Sequence, residues 1–170
     1  MKTIALDDIT IRTQLLPGDL GYVAYLHGDL YTKENGYGLS FESYVLSGLG
    51  EFGHDYDPGK DRIWMCEHEG KKVGFLLAQH RPAAVQLRYF IFLPEYRGVG
   101  LGKKLMTGFI DFMKQCGVSH AYLWTTDEQL AAISLYTRFG FKLTEEKPSR
   151  SFGKPLTERR YDLHLPKEGK

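Results

Sequence analysis

The spacing of hydrophobic and polar positions divides the chain into short strand-like and helix-like stretches. Alternation over residues 4–14 predicts a first strand, and helical spacing over 19–34 and 41–52 predicts two helices. The rest of the pattern predicts strands at 63–66, 73–78 and 84–93, a helix from Gly100 to near Gly117, a strand at 121–124, a helix from Thr126 to Phe139, and strands at 141–145 and 159–165. This order favours a mostly antiparallel sheet with a parallel strand–helix–strand unit in its middle.

Two local patterns refine this picture. The apolar run 89–93 predicts that strand 84–93 is central and buried on both faces. Thr126 and Gln129 have the spacing of a capping box, which predicts that they open the following helix.

Composition narrows the class of protein. With 170 residues and 42% hydrophobic content, we expect one domain over 1–170. The 22 basic and 21 acidic residues give a net charge of +1, which indicates neither a nucleic-acid partner nor an acidic tail. Cys66 and Cys116 are expected to be buried free thiols, and we predict no metal site. The chain shows no signal-like start or membrane-length apolar run, so we expect a cytoplasmic protein without a membrane partner.

The glycine-rich stretch 93–104, between a predicted strand and a predicted helix, is the most informative motif. Glycines let consecutive backbone N–H groups converge, and a helix N-terminus adds uncapped N–H groups, so the stretch predicts a phosphate or pyrophosphate site. A dinucleotide fingerprint fails because Lys103 stands where its last glycine is required. A P-loop fails because Arg97 replaces its first glycine.

Two motifs carry a family resemblance. Arg97-x-x-Gly100-x-Gly102 and the later Leu135-Tyr136-x-x-x-Gly140-Phe141 resemble the signatures of the GNAT superfamily of acyl-CoA-dependent N-acyltransferases. A glycine-rich turn required only for steric reasons is the alternative for the first motif taken alone. The resemblance spans nearly the whole chain and implies an α+β, three-layer fold, with a mixed, mostly antiparallel sheet of about seven strands flanked by about four helices.

Motifs in the first third of the chain make the resemblance more specific. His27-Gly28-x-Leu30-Tyr31 and the downstream Ser151-Phe152-Gly153 are similar to the acetyltransferase half of bacterial proteins that fuse a MarR-type winged helix to a GNAT domain. The chain begins almost at the first predicted strand, so we expect a stand-alone version of that half.

The resemblance also implies where acetyl-CoA, the co-substrate, would bind. In the family, acyl-CoA lies in an opening between two splayed strands, where a strand backbone pairs with pantetheine and the glycine loop holds the pyrophosphate. The implied cofactor-binding residues are Phe90, Ile91 and Phe92 on the strand, Arg97, Gly98, Val99, Gly100, Leu101, Gly102 and Lys103 in the loop, and Gln129 as a weaker candidate. The phenylalanines can equally be core residues, Arg97 and Lys103 can be solvated, and the capping box explains Gln129 without any ligand.

Catalytic roles follow from the same resemblance. Tyr136 matches the family tyrosine that protonates the departing CoA thiolate, and a phenol, with its pKa near ~10, holds its proton at neutral pH. Strand 84–93 lacks a carboxylate, which leaves the general base unassigned. His27, Glu34 and Glu42 on the first two helices are the candidates. Purely structural roles are the alternative for each of these residues, including core packing for Tyr136.

The sequence therefore predicts an N-acetyltransferase that moves an acetyl group from acetyl-CoA to a primary amine by direct attack in a ternary complex. The acceptor, a small molecule or a protein, stays unidentified, although tyrosines and acidic residues near the first helices could receive an ammonium group. A catalytically weak acyl-CoA-binding sensor or regulatory module is the alternative. We expect no nucleic-acid partner, and a homodimer is left open.

Overall fold

The computed structural model describes residues 3–167. Its helices are α1 (Asp19–Asn35), α2 (Leu39–Asp55), α3 (Leu101–Gln115) and α4 (Leu130–Arg138), with short 3-10 turns at Leu6–Asp8 and Pro94–Tyr96. Its strands are β1 (Thr10–Arg12), β2 (Arg62–His68), β3 (Lys71–Arg81), β4 (Ala84–Phe92), β5 (His120–Thr126), β6 (Lys142–Ser149) and β7 (Leu156–His164).

The strands form a single seven-stranded sheet in the order β1-β2-β3-β4-β5-β7-β6. Neighbouring strands pair antiparallel except β4 and β5, which are parallel and are connected through α3. The predicted mixed, mostly antiparallel sheet with four helices is confirmed, as is the central position of the strand at 84–92.

Helices cover both faces of the sheet and bury a separate apolar core on each. On one face, Val23 of α1 and Leu49 of α2 pack on Leu77 of β3. On the other face, Phe109 of α3 packs with Leu76 of β3, and Tyr136 of α4 belongs to the same core. The result is a three-layer arrangement, and the two faces are called below the α1–α2 face and the α3–α4 face.

Four local predictions are wrong, each for a physical reason. Residues 6–8 form a 3-10 turn instead of strand because the Asp8 carboxylate accepts a hydrogen bond from the Ala5 N–H. The capping box is absent: Thr126 stays in β5, bonded to the Tyr37 hydroxyl at 2.7 Å, and α4 begins at Leu130.

The other two errors concern burial. Cys116 is exposed because it caps the end of α3. The fourth error concerns β4, which is not buried on both faces throughout, since residues 88–90 are only half-buried.

Candidate functional site

A cleft lies between β4 and β5, where the two strands separate. The two strands pair only at Val85–Ala121 and Gln86–Tyr122, although β4 continues to Phe92 and β5 to Thr126. The register between β3 and β4 shifts just beyond this point, and Tyr89 there has a φ of 55°, which a bulky residue rarely adopts. A bulge of this kind bends a strand and leaves backbone groups without ladder partners.

The cleft connects the two faces of the sheet and encloses a cavity of about 150 Å³. Side chains from α1, α2, β4, β5 and α4 line it, among them His27, Tyr44, Arg88, Trp124 and Tyr136. Aromatic rings make up most of the wall, so the cavity is suited to organic ligands that have both apolar and polar parts.

The glycine loop lies at the end of β4 and leads directly into α3. Gly98 and Gly100 have φ values of 79° and 93°, which explains the glycines, and Gly100 is the N-cap residue of α3. No side chain caps this helix end, so its first-turn N–H groups remain available to an acceptor. Gly102 has a different role, because a Cβ there would lie 3.1 Å from Leu135 of α4. The loop therefore has the geometry of an anion site.

Arg97 and Glu34 form an ion pair at the edge of this loop. Arg97 Nη2 lies 2.9 Å from Glu34 Oε1 and also donates to the Phe92 carbonyl at 3.3 Å. Arg97 thus ties the loop to both α1 and β4. Lys103 is exposed on the first turn of α3. Neither Glu34 nor Arg97 lines the cavity, so the structure separates Glu34 from the other predicted catalytic residues.

Tyr136 lies on α4, where it faces the cavity. Its side chain is 5% exposed, and burial raises the pKa of its phenol well above the usual value. Within residues 3–167 its hydroxyl has no hydrogen-bond partner. Phe90 lies beside it, with 6.2 Å between ring centroids. Tyr136 therefore presents a fully protonated hydroxyl near the β4 bulge.

His27 of α1 also lines the cavity, and it is neutral. Burial lowers the pKa of its imidazole to about 4. Its Nδ1 donates to the Val23 carbonyl at 2.8 Å, which leaves Nε2 as the proton-accepting nitrogen. Of the three candidate bases, the structure places only His27 at the cavity. Glu42 instead packs against Gly28, since its Oε1 would lie 2.8 Å from a Cβ there.

Gln129 lines the cavity as the N-cap residue of α4. Its Nε2 donates to Asn35 Oδ1 at 3.2 Å, a contact between α4 and the end of α1. Phe90 is also part of the wall, whereas Ile91 is buried in the core of the α1–α2 face.

Two charged residues of the cavity wall, Arg88 on β4 and Glu158 on β7, were not predicted from the sequence. Their signal was present in the strand alternation, since Arg88 interrupts the apolar residues of β4 and Glu158 starts the charged run 158–160 in β7. Assigning them to the cavity requires the register of the sheet, which the sequence pattern does not supply.

A second polar cluster lies on β5 and β7, away from the cavity. Atoms of His120, Asp162 and His164 that could bind a metal ion lie within 4.8 Å of one another. Arg160, however, contacts both Asp162 oxygens at 2.9 Å, and Thr144 and His120 donate to the same carboxylate. Burial alone raises the pKa of Asp162, yet these hydrogen bonds hold it well below its usual value.

Comparison with known proteins agrees with this geometry. The model of the acetyltransferase (GNAT) family matches residues 29–141. An uncharacterised N-acetyltransferase of Schizosaccharomyces pombe is 30% identical over 81% of this chain and 85% of its own length. N-acetyltransferase family 8 member 7 of Mus musculus is 30% identical over 63% of this chain, which spans about half (52%) of that relative.

Solved structures share the fold at low sequence identity. YncA of Salmonella typhimurium, determined with its cofactor acetyl-CoA, has a TM-score of 0.72 at 18% identity and covers 96% of this chain and 97% of its own. Spermidine N-acetyltransferase from Vibrio cholerae, in complex with CoA and spermine, has a TM-score of 0.67 at 19% identity, with 95% and 98% coverage.

None of the helices within residues 3–167 has the length and apolarity needed to cross a membrane. The glycine loop before α3, the cleft between the parallel strands and the family match over residues 29–141 agree with one another. The chain belongs to the GNAT family of acetyltransferases.

Proposed function

We propose that this protein transfers an acetyl group from acetyl-CoA to a primary amine by direct attack within a ternary complex. One observation carries the proposal: β4 leads from the cleft, whose wall includes Tyr136, directly to the glycine loop and the uncapped N-terminus of α3. A thioester donor with a pyrophosphate group matches both features.

The donor would lie along β4. In this proposal the N–H groups of residues 98–103 bind the pyrophosphate, and the free backbone edge of 90–92 pairs with the pantetheine amides. Arg97 holds the loop against the Phe92 carbonyl and Glu34, so its contribution is mainly one of positioning. Lys103 adds positive charge, and Gln129 contacts the thioester end of the donor.

The amine would attack the thioester carbonyl from the cavity. The new C–N bond forms as the C–S bond breaks, the amine loses one proton, and the leaving thiolate takes one from Tyr136, which regains a proton from water. His27 is the base that the cavity offers, because its Nε2 is unprotonated at neutral pH. Its low pKa makes it a weak base, so we assign it proton acceptance through a water molecule.

Steady-state kinetics tests this proposal. CoA release is measured with a panel of primary amines while both substrates are varied, and intersecting reciprocal plots are expected for a ternary complex. Parallel plots would indicate an acetyl-enzyme and contradict direct attack. Saturable acetyl-CoA binding without CoA release would instead support the acyl-CoA-sensing module, the role suggested by the resemblance to MarR–GNAT proteins.

A further inference from the structure

The charged residues of the cavity wall point to the chemistry of the acceptor. Among the lining residues of the described chain, Arg88 is the one permanent cation and Glu158 the one carboxylate. This inference rests on the proposed function, because it assigns the acceptor of the same site.

Both residues belong to the α1–α2 face of the sheet. Arg88 pairs across the strands with Leu77, which is buried in the core of that face. Glu158 pairs with Thr126, whose hydroxyl bonds to Tyr37 in the connection between α1 and α2. Residues directly opposite in paired strands project from the same face. The cation and the carboxylate thus approach the cavity from opposite sides of the cleft.

Arg88 uses only part of its hydrogen-bonding capacity within residues 3–167. Its Nη1 donates to Gln79 Oε1 at 3.0 Å, and its guanidinium lies 4.7 Å from the ring centroid of Tyr89. No carboxylate of residues 3–167 lies within 4.0 Å of it. The neighbouring Arg81 differs, since it pairs with Glu51 at 3.4 Å. A half-buried guanidinium in a cavity wall without a carboxylate partner is suited to an anionic group of a ligand.

Gly48 of α2 makes room for this arrangement. A Cβ at Gly48 would lie 2.6 Å from Arg88 Nη2 and 2.2 Å from the Tyr89 hydroxyl, both closer than atoms can approach. The Tyr89 hydroxyl is itself buried without a hydrogen-bond partner in residues 3–167. The glycine therefore lets α2 pack directly over Arg88 and Tyr89.

Glu158 is likewise without a cationic partner among residues 3–167. Lys147 lies opposite it on β6, but its ammonium stacks over the Trp124 ring at 4.6 Å from the centroid. Other acidic residues of this region are paired, such as Glu146 with Arg159 at 2.8 Å. Trp124, which also lines the cavity, supplies apolar surface between Arg88 and Glu158.

We propose that the acceptor is a free amino acid or a close analogue, whose carboxylate binds Arg88 and whose ammonium group is attracted by Glu158. The aromatic wall formed by Phe41, Tyr44 and Phe152 would contact its side chain. The ammonium group first gives one proton to water, the resulting amine attacks the thioester carbonyl, and the nitrogen loses its second proton to His27 through a water molecule as the C–S bond breaks. The carboxylate requirement separates this class from polyamines and from peptide lysines.

Paired substrates test the proposal on the unmodified protein. Each of the twenty amino acids is compared with its amide, which keeps the amine and removes the negative charge. We expect kcat/KM for the preferred amino acid to exceed that of its amide about tenfold or more, as a charge-assisted hydrogen bond implies. Equal or better turnover of the amides, or turnover of polyamines alone, would overturn the inference while leaving acetyl transfer to amines intact.

Variants then assign the charge preference to residues. Arg88→Gln is expected to lower kcat/KM for the amino acid about tenfold or more and that for the amide less than about threefold. Arg62→Gln is the control and should change neither, because Arg62 lies on β2 outside the cavity wall, with its guanidinium 4.8 Å from the Phe112 ring centroid. Equal losses on both substrates with Arg88→Gln would contradict the assignment.

Glu158 is tested in the same assay. Glu158→Gln should raise KM about fivefold for the amino acid and for the amide alike, because both carry the ammonium group. The control Glu146→Gln should leave both unchanged. An unaltered KM for both substrates in Glu158→Gln would remove Glu158 from the proposal.

Calorimetry provides a readout that does not require turnover. With CoA bound, the amino acid should bind about tenfold more tightly than its amide, and Arg88→Gln should abolish that difference. Equal affinities would overturn the inference. Binding that discriminates without any CoA release would contradict the proposed function while supporting the acceptor class.

Discussion

Two regions of the same sheet are rich in polar side chains. One hydrogen-bonds them within the protein, and the other leaves them without protein partners. Around Asp162, on β7, every carboxylate oxygen is held by Arg160, Thr144 or His120. In the cleft between β4 and β5, Tyr136, Arg88 and Glu158 face a cavity with hydrogen-bonding capacity unused by residues 3–167. A saturated network stabilises the fold, whereas unused groups around a cavity indicate ligand binding.

The largest expected effect concerns the saturated region. Asp162→Asn should lower the free energy of unfolding by about 3 kcal/mol, because the half-exposed Arg160 and His120 lose the buried carboxylate that they share. The KM for acetyl-CoA should stay unchanged. Denaturant unfolding and steady-state kinetics on the same preparation check this, with Glu146→Gln as an exposed ion-pair control expected to cost at most about 0.5 kcal/mol. If Asp162→Asn lost activity without losing stability, the Asp162 cluster would have a functional role and not a stabilising one.

Removal of one oxygen from the cleft should have the opposite signature. Tyr136→Phe should lower kcat about 100-fold, or about 2.7 kcal/mol, through loss of the proton donor, with little change in stability. Tyr25→Phe, at an exposed position on α1, is the control. If acetyl-CoA affinity and turnover fall equally, or the protein is destabilised, Tyr136 is a packing residue instead.

Acid should destabilise the fold through His27, which belongs to the cleft wall. Burial lowers its pKa to about 4, against about 6.5 in the unfolded chain, so the unfolded state binds the proton first as the pH falls. Between pH 6.5 and 5 this costs about 2 kcal/mol of stability. His27→Gln should flatten that part of the pH profile in denaturant titrations. An unchanged slope would show that other groups cause it.

The smallest expected effect is on donor binding. Gly100→Ala places a Cβ on a residue with φ 93° and should shift the first amides of α3, weakening acetyl-CoA affinity about tenfold, or about 1.4 kcal/mol. Gly117→Ala strains the other end of the same helix, where φ is 66°. We expect Gly117→Ala to lower the free energy of unfolding as much as Gly100→Ala does and to leave acetyl-CoA affinity unchanged. Equal affinity losses in both variants would indicate a general effect on α3.

Periodicity was sufficient for most of the fold because the long elements have strong patterns. The end of α3 is an example: Gly117 was expected just beyond the helix, and the N–H groups of Gly117 and Val118 bond to Lys114 and Met113 in a Schellman arrangement. Short-range polar contacts caused the errors. The Asp8 carboxylate turns residues 6–8 out of a strand, and Thr126 bonds to distant Tyr37 instead of capping α4.

The candidate site was predicted where it depends on local chain geometry and missed where it depends on register. The glycine loop is a local feature, so the positive φ values at Gly98 and Gly100 agree with what the motif required. Arg88 and Glu158 line the same cavity because β4 separates from β5 and β7 lies beside β5. No spacing in the sequence encodes that proximity.

Hydrogen–deuterium exchange with and without acetyl-CoA compares the donor-binding cleft with the Asp162 cluster in one experiment. We expect slower exchange at the amides of residues 90–92 and 98–103 when acetyl-CoA is bound, and unchanged exchange in β6 and β7 around Asp162. Saturable binding that leaves the amides of 98–103 unprotected would show that the glycine loop does not hold the pyrophosphate.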